Sequence, residues 1–125
     1  MGNSVTLLEA MPNDELPELY NSNHFYVSNS IQETSGVVII EAMSCGLPVL
    51  STKSGGPEEI ITEKTGKFIE DNSLESLVSG LNFMIDNYKI FDPEYTRLHI
   101  VQNYSEQNYR DRIDEIYKNI IGKYA

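Results

Sequence analysis

The run Val37-Val-Ile-Ile40, set between Gly36 and the stop Gly46-Leu-Pro48, decides what this chain can fold into. Four consecutive β-branched residues favour a strand by intrinsic preference, because their first side-chain torsions are stiff. The residues that follow point the other way. Glu41-Ala-Met-Ser-Cys45 extends the run, Gly46 suits the position just past a helix end, and Pro48 blocks continuation. The stop signal predicts a helix from about Gly36 to Cys45. Being apolar on nearly every side, such a helix belongs deep in a core.

A buried helix needs strands to cover it, and the chain offers four short candidates. Val5-Thr-Leu-Leu8 is a short apolar run. His24-Phe-Tyr-Val-Ser28, Pro48-Val-Leu-Ser51 and Lys67-Phe-Ile-Glu70 are the others. Helices separate them. One is predicted over 14–22, capped by Asn13 or Asp14, with Pro17 in its first turn. Another follows Pro57, with Glu58 and Glu59 at its positive end. Asn72 and Glu75 have the spacing of a capping box before a helix running to about Tyr88. Asp92-Pro93 breaks the chain. A weaker helix is predicted over 95–103, and a last one follows Ser105, its apolar face carrying Tyr109, Ile113, Ile116, Tyr117, Ile120, Ile121 and Tyr124.

Strands alternating with helices imply right-handed crossovers and a parallel sheet. The expected fold class is therefore α/β: a parallel sheet of about four strands, flanking helices and a helical C-terminal tail, which the family resemblance given below makes a partial Rossmann-like sheet. The 125 residues fit one domain, 1–125, with short linkers.

Charge narrows the partners. A net charge of −10 argues against nucleic acid and anionic membrane surfaces. Residues 1–52 hold Glu9, Asp14, Glu15, Glu18, Glu33 and Glu41 but no Lys or Arg. A phosphorylated ligand near Gly36 would therefore need its cations from elsewhere. The N-terminus carries no secretory pattern, and no apolar run is long enough to form a membrane span. The single Cys45 fits a reducing compartment, so the expected location is cytoplasmic.

In a parallel α/β sheet ligands sit at the C-terminal strand ends. The loops there, 29–35 and 52–57, are rich in Ser, Gly and Glu. A helix starting near Gly36 would turn the N–H groups of Gly36, Val37 and Val38 toward a cleft, a seat for an anion such as a diphosphate. Glu33 stands just before that seat and Glu41 lies inside the helix. A carboxylate can accept from two vicinal hydroxyls, which suits a ribose or hexose. On spacing alone, two surface carboxylates are the simpler explanation. Glu41 in an otherwise apolar segment favours a position facing a ligand or a polar cleft, because an unpaired buried carboxylate is costly.

Glu33-Thr-Ser-Gly-Val-Val-Ile-Ile-Glu41-Ala-Met-Ser-Cys-Gly-Leu-Pro-Val49 resembles the E-x7-E signature of retaining glycosyltransferases of the glycogen-synthase and sucrose-synthase-like group, glycosyl transferases group 1. Ser54-Gly-Gly-Pro-Glu-Glu-Ile60 and Thr65-Gly-Lys-Phe-Ile69 resemble the motifs that follow it there. The resemblance implies the two-domain GT-B fold, with this chain a fragment of its C-terminal nucleotide-sugar-binding domain. It implies that Glu33 contacts the donor sugar and takes the catalytic position. Thr34, Ser35, Gly36, Val37, Val38 and Glu41 join Glu33 in binding substrate, with Glu41 on the ribose. It implies a nucleotide-sugar as substrate and no cofactor or metal. Ser35 stands where the family most often has an aromatic residue or Cys. The family's Arg and Lys for the diphosphate have no counterpart before Lys53, and the N-terminal acceptor domain is missing, so the chain alone is expected to be inactive. Through that domain the enzyme could also sit on a membrane surface.

The alternative is a non-catalytic α/β module that binds a nucleotide-sugar or serves interaction. A phospho-receiver is disfavoured, since neither Leu8-Glu9 nor Val27-Ser28-Asn29 ends a strand in the required Asp. Lys53 reads as a solvated loop lysine, Cys45 and Met43 as core, and His24 and His99 as structural or exposed, without companions for a metal.

Overall fold

The computed structural model describes residues 4–124; Met1–Asn3, Ala125 and the side chain of Tyr124 lie outside that description. The elements run α1 (Leu16–Asn21), β1 (Tyr26–Ser28), α2 (Val37–Ser44), β2 (Val49–Thr52), α3 (Gly56–Ile60), β3 (Gly66–Ile69), α4 (Leu74–Asn87), a 3-10 turn (Tyr88–Ile90), α5 (Pro93–Tyr104) and α6 (Glu106–Tyr124). The three strands form one parallel sheet in the order β1-β2-β3.

β2 is the centre of the structure. All four of its residues are buried, as expected of a parallel strand covered on both faces. Its side chains alternate between two layers. Val49 packs with Ile39, Met43, Ile60, Ile61 and Ile100 on one side of the sheet. Leu50 packs with Ile69, Met84 and Phe91 on the other. A third cluster, Tyr20, Ala42 and Leu47, joins α1 to α2. Burying Ile39 and Met43 against this sheet contributes about 2–3 kcal/mol per side chain.

The β-branched run is helical. Val37–Ser44 forms α2, with Ile39, Ala42 and Met43 buried. Its end explains why propensity loses. Gly46 has φ 84°, the Gly46 N–H donates to Met43 O at 2.9 Å, and the Leu47 N–H donates to Ala42 O at 3.1 Å. Two carbonyls of the last turn thereby accept in a Schellman arrangement. Tertiary burial and a good stop outweigh tenths of a kcal/mol of strand preference per residue.

Several expectations need correction. The sheet has three strands among the described residues, not about four. Residues 5–8 are irregular and exposed, with Leu7 at 87%, and no strand lies beside them to satisfy their backbone groups. The cap of α4 is Ser73 rather than Asn72: its Oγ accepts from the Ser76 N–H at 3.1 Å. The cap position of α1 is Glu15, which makes no side-chain cap bond, rather than Asn13 or Asp14. α5 starts at Pro93, two residues before the predicted start, because Asp92 accepts from the N–H groups of Glu94 and Tyr95. The break at Asp92-Pro93 is thus also a helix start, with Pro where its missing N–H is harmless. α6 is present, but its apolar face is open among the described residues: Tyr109, Ile116, Tyr117, Ile120 and Ile121 are each at least half exposed.

Candidate functional site

The loops after β1 and β2 lie side by side, because parallel neighbours place their C-terminal ends together. Backbone bonds stitch them. The Glu33 N–H donates to Ser54 O at 2.9 Å, and the Gly56 N–H donates to Glu33 O at 2.9 Å. Glu33 and Gly55 form an isolated parallel bridge. The Thr52 hydroxyl donates to Ser30 O at 2.5 Å. The backbone of Glu33 is therefore held like a short extra strand at the mouth of the sheet.

Gly36 then turns the chain into α2. Its φ of 64° and ψ of 31° are left-handed, a conformation that costs an L-residue about 1–2 kcal/mol. Gly36 itself is buried. No side chain caps α2, so the first-turn amides of Val37 and Val38 keep the orphan donors that every helix start carries. The Gly36 amide differs from expectation. It donates to Glu33 Oε1 at 3.2 Å, and the Ser35 amide reaches the same oxygen at 3.4 Å. The Glu33 carboxylate thus lies on its own loop, on the positive side of the helix dipole, where a negative charge is favoured.

Val37, Val38 and Glu41 share one face of α2, since residues three and four apart on a helix are neighbours. Val37 and Val38 are exposed, Glu41 is half-buried, and Thr34 and Ser35 are exposed. Glu41 meets α1: the Tyr20 hydroxyl donates to Glu41 Oε2 at 3.1 Å. Burial, that hydrogen bond and the Glu41 charge push the Tyr20 phenol up to about 12. One group brings both carboxylates together. Burial raises the Tyr26 phenol, and the charges of Glu33 and Glu41 push it the same way. Burial and the Glu41 charge also raise the half-buried Cys45 thiol. The two ion pairs among the described residues, Arg97–Glu94 and Arg110–Glu106, lie on α5 and α6, so neither Glu33 nor Glu41 faces a cation in them.

Other candidates settle into structural roles. The Lys53 ammonium lies 6.0 Å from the Phe68 ring centroid. The Glu58 carboxylate accepts from the Gly55 N–H at 2.9 Å, closing the start of α3. His99 Nε2 bonds with Ile60 O at 2.9 Å, tying α5 to α3, and His24 packs edge-on to Tyr88. Tyr104 donates to Glu59 O at 2.7 Å. No group of His, Cys, Asp and Glu suited to a metal occurs among the described residues. No described helix is long and apolar enough to cross a membrane. A concavity lined by Asn21, His24, Cys45, Pro48, Tyr88 and Phe91 opens at the N-terminal ends of β1 and β2, away from the strand ends where this fold class binds ligands. Sequence reasoning gave Tyr20 and Tyr26 no role in the site. The available signal was a phenol on a buried face, since such a hydroxyl needs a partner.

Three parallel strands with helices packed around them define a Rossmann-like α/β fold. The comparisons make the class specific. The chain belongs to the family described as glycosyl transferases group 1, whose model matches residues 1–94. It is 31% identical over 119 residues to the phosphatidylinositol N-acetylglucosaminyltransferase gpi3 subunit of Schizosaccharomyces pombe, covering 93% of this chain and 26% of that protein. It is 40% identical over 76 residues to a sulfoquinovosyl transferase of Arabidopsis thaliana, covering 58% of this chain and 15% of that protein. Its fold is close to a GT-B glycosyltransferase structure, the sucrose-phosphate synthase of Thermosynechococcus elongatus. The TM-score is 0.84 at 22% identity, over 98% of this chain and 31% of that one. The chain thus spans about a quarter of the fission-yeast relative's length and less of the plant relative's.

Proposed function

We propose that this chain is the donor-binding part of a retaining glycosyltransferase that uses a nucleotide-diphosphate sugar. In this reading Glu33 to Glu41 is an E-x7-E motif. Glu33 takes the hydroxyls of the sugar to be transferred and Glu41 those of the ribose. The diphosphate lies between them on the start of α2, against Gly36, Val37 and Val38, with Thr34 and Ser35 lining the entrance. The observation that carries the reading is the start of α2, which no side chain caps, with the Glu33 carboxylate hydrogen-bonded to the Ser35 and Gly36 amides before it and Glu41 on the same helix face as the exposed Val37 and Val38.

The chemistry follows from that arrangement. As the bond from the sugar's anomeric carbon to the diphosphate breaks, charge grows on the leaving oxygen. Fixed amides and a helix dipole stabilise that charge without reorganising. They supply partial charges only. The full cations for the diphosphate, and the acceptor site, come in this reading from further segments of a longer protein. No metal is required in the scheme, and the protein works in the cytoplasm or on the face of a membrane. The fission-yeast relative is named as a phosphatidylinositol N-acetylglucosaminyltransferase subunit.

The test compares the isolated chain with the full-length protein on uridine, adenosine and guanosine diphosphate sugars. The reading predicts turnover by the full-length protein, with a product keeping the donor's anomeric configuration by proton NMR, and none by the isolated chain. An inverted product, or turnover by this chain alone, would overturn it. Binding by the full-length protein without turnover on any acceptor would favour a binding-only module.

A further inference from the structure

Glu41 takes one side-chain hydrogen bond among the described residues, and it comes from Tyr20 on α1. We propose that the Tyr20 hydroxyl holds the Glu41 carboxylate in the orientation from which it accepts the donor's ribose hydroxyls, making Tyr20 a positioning residue of the donor site. The proposal rests on the donor-binding reading above and adds a second residue to it.

Three features support it. The bond spans twenty-one residues and joins two separate helices, so it is no product of local helix geometry. It fixes Oε2 and leaves Oε1 to a ligand, while each carboxylate oxygen retains further acceptor capacity. The donor is also of a suitable kind. A Lys or Arg would neutralise Glu41 and compete with the ribose for it. A neutral phenol orients the carboxylate and leaves its charge intact for hydroxyl donors.

The anchor is rigid. Tyr20 is 8% exposed and packs with Ala42, Leu47, Leu16 and Cys45, and its ring meets Tyr26 edge-on at 6.3 Å. Neighbouring apolar side chains hold the ring, and a Phe would fill the same space. The hydroxyl therefore adds something that packing does not require. With its phenol pushed up to about 12, Tyr20 stays protonated and donating throughout the neutral range.

The experiment is donor kinetics on the full-length protein with Tyr20→Phe, Glu41→Gln and the double variant. Each is measured with an intact nucleotide-sugar and with its 2′,3′-dideoxyribose analogue. Tyr20→Phe is expected to raise the KM for the intact donor about tenfold, within the range of a hydrogen bond to a charged group, with kcat within about twofold. The KM for the dideoxy donor should change by less than about twofold, and Tyr20→Phe should add little to Glu41→Gln, because coupled residues are not additive. A wild-type KM in Tyr20→Phe, or an equal loss on both donors, would overturn the positioning role while a Glu41→Gln effect kept the donor reading standing. No effect of Glu41→Gln on either donor would instead remove the parent reading.

Discussion

Replacing Gly36 by Ala tests the turn that aims α2 at the site. Two costs can be read from the structure. An L-residue at φ 64° and ψ 31° costs about 1–2 kcal/mol relative to glycine. A Cβ there would also stand 2.7 Å from Ile60 Cδ1 and 3.8 Å from Ile39 Cδ1. Ile60 is 3% exposed, so its tip has little room to move, and overpacking of this kind costs about 1–3 kcal/mol. Together these predict a loss of about 2–5 kcal/mol, against a total stability of about 5–15 kcal/mol for a domain. Urea unfolding followed by far-UV circular dichroism would read it. With a slope of about 1–3 kcal/mol per molar urea, the midpoint should fall by about 1–3 M at unchanged slope. Ile60→Val separates the two costs, since it removes the atom that clashes. In that background Gly36→Ala should cost only the left-handed part, about 1–2 kcal/mol. A loss below about 0.5 kcal/mol in the parent chain, or the same loss in both backgrounds, would refute this account of Gly36.

Three further outcomes follow from the same structure. Ser73→Ala removes the α4 cap, whose Oγ accepts from Ser76 N, and should lower stability by about 1 kcal/mol in thermal or urea unfolding, whereas Asn72→Ala should change it by less than about 0.5 kcal/mol. Met84→Ala leaves a cavity beneath the Leu50 and Ile69 layer, and Met84 is fully buried, so a loss of about 2–5 kcal/mol is expected by the same assay. Tyr20 has a pH signature: a folded-state value raised from 10.0 to about 12 gives stability that is complete below pH 10 and disappears as pH climbs through about 12. Unfolding midpoints measured across that window should therefore fall less steeply in Tyr20→Phe than in the parent.

How far the sequence reveals this molecule depends on where each signal is local. The stop at Gly46-Leu-Pro48 is local, so α2 was readable despite its four β-branched residues, and the bounds of β1, β2, β3 and α4 followed within a residue or two. Residues 5–8 carry an equally good strand signal, but a strand needs a neighbour, and pairing is a long-range property that composition does not encode. Asn72 and Ser73 are both good caps one residue apart, and the choice between them turned on which N–H the first turn presented. Among the candidate site residues, Glu41 stood out because its residue type conflicts with an apolar segment, and Glu33 because it stands just before the expected helix start. The capture of the Gly36 amide by Glu33 and the Tyr20–Glu41 bond were not visible, since both depend on loop and helix geometry. The open face of α6 was predicted as an amphipathic face, and its periodicity shows which residues share a side without showing what they touch.

The central claim is that the start of α2 between Glu33 and Glu41 seats a nucleotide-sugar. Calorimetric titration of the full-length protein and its Glu41→Gln variant with the preferred donor tests it most directly. The account predicts that Glu41→Gln keeps its fold and unfolding midpoint but binds the donor about tenfold or more weakly. Donor affinity unchanged by Glu41→Gln, in a folded protein, would contradict it.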